Sequence, residues 1–263
     1  MGRAQYLAAA LAALLAVVVY FGCPVRPAEL EAGFRRGPLE TTGLETLVRQ
    51  ARATLSPAQL ATLATLDDRL ASQEQPAERL DLLEQLAGEW YRAGHPAISG
   101  IYARRIAEQR NSADAWAIAG TTFSLCLKQD ELADKTRQFC SSQAVAAYQA
   151  AISLEPDTAE HRVNLALTYA DNPPPDNPMR GVLLLRELTE QFPNSPAVFR
   201  ALGQLSLRTG QLENAARRFG RAAELAPNDP DAVCPLARVL EELGRSAESR
   251  TFADRCQELV KSR

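Results

Sequence analysis

Five cysteines and two histidines are the residues of this 263-residue chain whose side chains most readily enter covalent, metal or acid–base chemistry. Setting Cys23 aside, four cysteines fall as two pairs, Cys126 with Cys140 and Cys234 with Cys256. Zinc is not expected, because no Cys-x-x-Cys spacing occurs and the two pairs lie in separate stretches of chain. Two readings stay open: a disulfide within each pair, or free thiols packed as small apolar residues in a core. His95 falls in a Gly-His-Pro turn and His161 near a helix start, and both are expected to be solvated rather than to act as bases. No Gly-rich phosphate loop, Gly-x-Ser-x-Gly elbow or His-Glu-x-x-His motif is present. The sequence therefore predicts no catalytic constellation, no metal site and no cofactor, and a protein that is not an enzyme.

The elements that carry these residues follow from composition. Apolar residues make up 46% of the chain, enough for a sizeable core, and aromatics only 6%. Ala and Leu dominate, so helices are expected and little sheet. A net charge of -3, from 29 basic and 32 acidic residues, gives no concentrated basic footprint for nucleic acid. The pairs Arg104-Arg105 and Arg217-Arg218 read as solvated helix faces.

Residues 1–23 stand apart. Tyr6 to Gly22 carries no charge, a length at the short end of what crosses about 30 Å of hydrocarbon. An uncleaved membrane anchor is the preferred reading. A cleaved signal peptide would put Tyr20 or Arg26 where a small residue is needed. A lipidated Cys23 would share only the Gly-Cys ending of bacterial lipoprotein signals, and both alternatives stay open. Arg26, Arg35 and Arg36 beyond the run, against Arg3 before it, favour a cytoplasmic body, whereas disulfides would favour a periplasmic one.

Residues 24–40 hold Pro24, Pro27, Gly33, Gly37 and Pro38 and read as a flexible tether. Over 41–78 a two-helix extension is predicted, Thr41 to Thr54 and then a helix from Ser56-Pro57 to about Gln73. Beyond it the chain repeats. Glu-Pro-Asp at 155–157, Phe-Pro-Asn at 192–194 and Ala-Pro-Asn at 226–228 each close an apolar segment, their prolines 37 and 34 residues apart. Pro196 to Asp229 is the clearest unit, with Phe199, Leu202-Gly203, Gly210, Ala215, Phe219, Ala222 and Pro227. It resembles a tetratricopeptide repeat, departing from the pattern at Ser206, where a tyrosine would fall. The resemblance extends over 79–263 in about five units: 79–112, 113–158, 159–195, 196–229 and 230–263. The second unit is 46 residues long, about 12 more than the period, inserted between its two helices.

The resemblance implies an all-α, right-handed solenoid of stacked antiparallel helix pairs behind an N-terminal transmembrane helix. Gly120, Ala166, Gly203 and Ala237 on first helices, and Ala144, Gly181 and Ala215 on second ones, would mark the close approaches. Cys126 would close one helix and Cys140 open the next, bracketing the insertion, and Cys234 and Cys256 would meet at one end of the last hairpin, with Pro235 arguing for a late start of its first helix. Proteins of this kind are docking scaffolds, so a protein or peptide partner is expected in a concave groove. The lining would include Thr121, Leu125, Val163, Leu167, Arg200, Gln204, Arg208 and Arg238, apolar at one end and rich in arginine at the other, which suits a ligand with an acidic portion. The layout is that of a single-pass protein of the bacterial inner membrane with a periplasmic body. Such a protein would serve as an adaptor, as an assembly factor like those of cytochrome c maturation, or as a structural subunit, with homo-oligomers possible.

Overall fold

The computed structural model describes residues 43–262. The anchor expected over 1–23, Cys23, and the tether expected over 24–40 lie outside the described residues. Among the described residues there are twelve helices and no strand, and no helix is long and apolar enough to cross a membrane.

The extension is two helices, α1 (Leu44–Ala51) and α2 (Pro57–Ser72). The first ends at Ala51, before the expected Thr54, where the Ala53 and Thr54 amides donate to the Gln50 and Ala51 carbonyls in a tighter turn that the Thr54 hydroxyl joins, donating to the Ala51 carbonyl at 2.8 Å. Ser56 then caps α2 through a reciprocal box with Gln59, and Pro57 occupies the first helical position. Five helix pairs follow. They are α3 (Pro76–Arg92) with α4 (Pro96–Arg110), α5 (Ala113–Cys126) with α6 (Asp134–Leu154), and α7 (Ala159–Asp171) with α8 (Arg180–Gln191). The last two are α9 (Pro196–Arg208) with α10 (Leu212–Leu225), and α11 (Pro230–Glu242) with α12 (Ser246–Lys261).

Turn chemistry repeats with the units. Gly94, Gly210 and Gly244 adopt φ of 82°, 69° and 74°, the left-handed conformation that ends a helix. In each case the next amide closes the end: His95 donates to the Trp90 carbonyl at 2.9 Å, Gln211 to Ser206 at 2.8 Å and Arg245 to Leu240 at 2.9 Å. Between units, Glu155, Phe192 and Ala226 leave the helical region just before a proline, as that position demands.

Packing confirms the register of the pairs. A Cβ on Gly203 would lie 2.8 Å from the Phe219 ring, and one on Gly120 would lie 2.8 Å from the Tyr148 ring, so each aromatic rests on bare backbone of its partner helix. Gly181 abuts the backbone of Ala166 and Ala170. Gly100 meets Phe123 across the step from α4 to α5, a close approach without a counterpart in the sequence reading. In the outer pairs a serine replaces the small residue of the second helix and stays buried by donating across the hairpin, Ser99 to the Ala87 carbonyl at 2.8 Å and Ser249 to the Ala237 carbonyl at 3.0 Å.

At Ser206 the missing tyrosine is replaced by a pair of groups. Ser206 donates to the Leu202 carbonyl, and Arg218 reaches in from α10 to donate to both Ser206 and Leu202. Arg218 is therefore not a solvated face residue, and burial together with Arg217 and Arg186 lowers its pKa.

The outer face of the last helix differs from that of its predecessor. On α10, Ala216 and Ala223 are buried in a cluster with Ala232, Val233 and Leu236 of α11. Thirty-four residues later, α12 carries exposed Arg250 and Gln257 at those positions. At these two positions α12 is polar where α10 is apolar.

Candidate functional site

Three first helices, α5, α7 and α9, stand side by side and form one wall of a cleft of about 670 Å³. Leu125, Leu167 and Leu207 supply its apolar surface, one from each helix, and Leu127 and Lys128 from the start of the α5–α6 loop complete its edge. The three leucines are each half-buried, with Leu167 and Leu207 at the edge between the core-facing side of their helices and the cleft.

The hydroxyls of the cleft are already paired. Thr121 and Tyr148 share a hydrogen bond of 3.1 Å. Thr168 donates to the Asn164 carbonyl at 2.9 Å, so in the 3.2 Å bond between Ser124 and Thr168 it is Ser124 that donates. The Tyr148 phenol has a raised pKa through burial, opposed by its hydroxyl neighbours, and it stays a neutral phenol near pH 7. Arg208 donates to Asp171 at 2.5 Å, and this pair forms one rim. Among the described residues, the side-chain amides of Asn164 and Gln204 and the Lys128 amine have no hydrogen-bond or ionic partner. They are the groups free to meet a ligand.

Of the residues expected in the groove, Thr121, Leu125, Leu167, Gln204 and Arg208 line this cleft. Val163 does not; it is buried in the core with Ala159, Leu185 and Val198. Arg200 is turned away to Asp229, 2.6 Å from its carboxylate, because the turn before α11 places an aspartate there as N-cap. Arg238 is exposed and outside the lining. The arginine-rich end therefore dissolves: two of the three cations are neutralised by aspartates of the same chain. Ser124, Leu127, Lys128, Tyr148, Asn164, Thr168, Asp171 and Leu207 line it without having been expected. Leu207, one turn beyond Gln204, was within reach of the spacing, whereas Lys128 sits in the insertion, where no repeat pattern applies.

The cysteines join as Cys126 with Cys140 and Cys234 with Cys256, Cα atoms 6.2 Å and 5.0 Å apart. Cys126 ends α5, but Cys140 lies well inside α6, which begins at Asp134. Much of the insertion has become extra N-terminal helix, leaving only 127–133 as loop. The second bridge ties an early residue of α11 to a late one of α12, so these helices are antiparallel. The helix α11 begins at Pro230 in spite of Pro235, which removes one early hydrogen bond only.

The histidines also differ from expectation. His161 is 5% exposed, its Nε2 without a hydrogen-bond partner and 3.6 Å from Glu155. His95 bonds Thr54 at 3.0 Å and stands edge-on to Trp90, where burial lowers its pKa. Neither faces the cleft. Among the described residues no group of three or more His, Cys, Asp or Glu side chains is placed to hold a metal ion.

No protein family's sequence profile matches the chain, and no curated protein does. Several solved structures are similar in fold at low identity. A tetratricopeptide repeat protein from Parabacteroides merdae is 14% identical, with a TM-score of 0.46 over 80% of this chain and 77% of that one. The Pseudomonas aeruginosa pilF protein is 19% identical, with a TM-score of 0.45 over 69% and 77%. MamA from Desulfovibrio magneticus is 14% identical, with a TM-score of 0.42 over 70% and 96%.

Proposed function

We propose that this chain is a non-enzymatic docking scaffold whose concave cleft holds a segment of a partner protein. One observation carries the reading: three successive helix pairs present a half-buried leucine each to a single open cleft that the fold itself leaves unfilled. The free amides of Asn164 and Gln204 suit the backbone of an extended segment, and the leucines suit its apolar side chains. With Arg200 and Arg208 already paired, the cleft favours a largely apolar segment over the acidic one expected from the sequence.

The body belongs on the oxidising side of a membrane in this reading, held there by the apolar run Tyr6 to Gly22. The support is the two disulfides, which persist in the periplasm and are reduced in the cytoplasm. An assembly factor of the bacterial envelope fits this layout. A second reading, a permanent structural subunit, draws on Met179, the N-cap of α8, and Leu183 on α8, 54% and 49% exposed away from the cleft.

Leu167→Asp with Gln204→Arg places charge on the cleft floor; Leu167 is half-buried against the core, so a thermal melt of the pair must first show that the fold is kept. Co-purification of the tagged full chain from its native membrane should lose its partner with this pair and keep it with Leu183→Asp. Loss only with Leu183→Asp would favour the structural subunit and overturn the docking reading.

A further inference from the structure

The insertion between α5 and α6 forms part of the cleft and is also where a disulfide closes. In the pairs α3–α4, α9–α10 and α11–α12 a left-handed glycine with its own hydrogen bond sets the turn. No such glycine stands after α5. Instead the amides of Leu127, Lys128 and Gln129 donate to the Ser124, Leu125 and Cys126 carbonyls at 3.2 Å each, a single tight turn at the end of a helix. Two of those residues, Leu127 and Lys128, are the cleft edge. Non-covalently the turn is held by the Gln129 side-chain bond to the Gly94 carbonyl at 3.0 Å, the Arg137 guanidinium donating to the Leu127 carbonyl at 3.4 Å, and the packing of Leu127 and Leu132 on the core; its one covalent tie is Cys126–Cys140.

We propose that the Cys126–Cys140 bridge is a redox latch on the cleft. Oxidised, it fixes Leu127 and Lys128 as cleft wall; opened, it leaves that turn to its side-chain contacts alone and loosens it while the solenoid stays folded. The inference rests on the cleft being the docking surface. The fold survives because both thiols remain small apolar groups in a core already filled by Phe123, Ala144 and Tyr148. Opening needs a dithiol. Its thiolate attacks one Sγ to form a mixed disulfide, its second thiol closes on that bond and expels the cysteine thiolate. The reductant departs as a disulfide, and two protons end on Cys126 and Cys140.

Burial sets the order in which the bridges open. Cys126 and Cys140 are each 0% exposed, whereas Cys234 and Cys256 are half-buried at the end of the array. A dithiol therefore meets Cys234–Cys256 first, and that bridge supplies an internal control, since no residue of α11 or α12 lines the cleft.

The test is hydrogen exchange of the full chain by mass spectrometry, with graded dithiothreitol and differential alkylation to assign which bridge has opened. Opening Cys234–Cys256 should leave exchange at residues 127–129 unchanged. Opening Cys126–Cys140 should accelerate it at least about tenfold, while α7 and α9 keep their protection. The C126S/C140S protein should show the same acceleration without reductant. Unchanged exchange at 127–129 once Cys126–Cys140 is open would overturn the latch, and so would α7 and α9 losing protection at the same step. The wild-type titration decides the matter even where the double variant does not fold. Exchange is read without a partner, so failure of the docking reading leaves this result standing.

Discussion

Gly203 and Gly220 are both helical glycines of the α9–α10 hairpin, and alanine should have opposite effects at the two. At Gly220 nothing lies within 4 Å of an added Cβ. Alanine there gains helix propensity alone, about 0.5 to 1 kcal/mol, which raises the melting temperature by roughly 1–4 °C in a domain of this size. At Gly203 the same Cβ would lie 2.8, 2.9 and 3.0 Å from three carbons of the Phe219 ring, which is fully buried and has nowhere to retreat. Overpacking of this kind costs about 1 to 3 kcal/mol, so after the propensity gain Gly203→Ala should destabilise by about 1 to 2 kcal/mol. Gly203→Leu should cost more. Thermal and urea melts of the three variants, followed by far-ultraviolet circular dichroism, give the comparison. If Gly203→Ala stabilised the protein as much as Gly220→Ala, Phe219 would not rest on Gly203 and the register of the helix pairs would be wrong.

Gly181→Ala should cost about 2 to 3 kcal/mol in the same melts, since its Cβ would meet main chain, 2.7 Å from the Ala170 nitrogen, and backbone cannot swing aside as a ring can. The Tyr102 phenol is pushed up to about 12 by burial, with the Asp67 charge and hydrogen bond adding to the rise. Its folded value lies above the unfolded value of 10.0, so the proton is held more tightly by the folded chain and stability falls as pH rises from 10 towards 12. Spectrophotometric titration of the six tyrosines should show a component near 12 that Tyr102→Phe removes, with Tyr148 and Tyr169 also raised by burial and unaffected by that change. Removing the terminal staple with C234S/C256S should cost about 3 kcal/mol of stability, read from the urea midpoint, because the bridge closes a loop of 22 residues in the unfolded chain.

Much of the fold was legible because repetition multiplies a weak signal. One Leu-Gly or one Ala-Pro-Asn says little, but the recurrence of proline and turn glycine at one period assigns helix, turn and close approach together. Legibility failed where the period fails. The second unit carries an insertion, and its division into a loop over 127–133 and added turns of α6 depends on Phe139 and Leu132 finding the core, with Phe139 edge-on to Phe123 at 5.9 Å. The cleft was half legible for a related reason. Helical spacing puts Thr121, Leu125, Leu167, Gln204 and Arg208 on one face, but it is blind to what else a long side chain can reach. Arg200 found Asp229, which lies in the next unit's cap, and Arg218, read as solvated, turned inward to the gap left by Ser206. His161 likewise read as a surface residue because nothing local marks it as buried.

The docking role is tested most directly by site-resolved photo-crosslinking in intact cells, with a photoreactive residue placed singly at Gln204 in the cleft, at Leu183 on α8 and at Arg250 on the polar end of the array. The account predicts one discrete protein adduct from Gln204, abolished by Leu167→Asp, and none from Arg250. Adducts from Leu183 or Arg250 with none from Gln204 would contradict it.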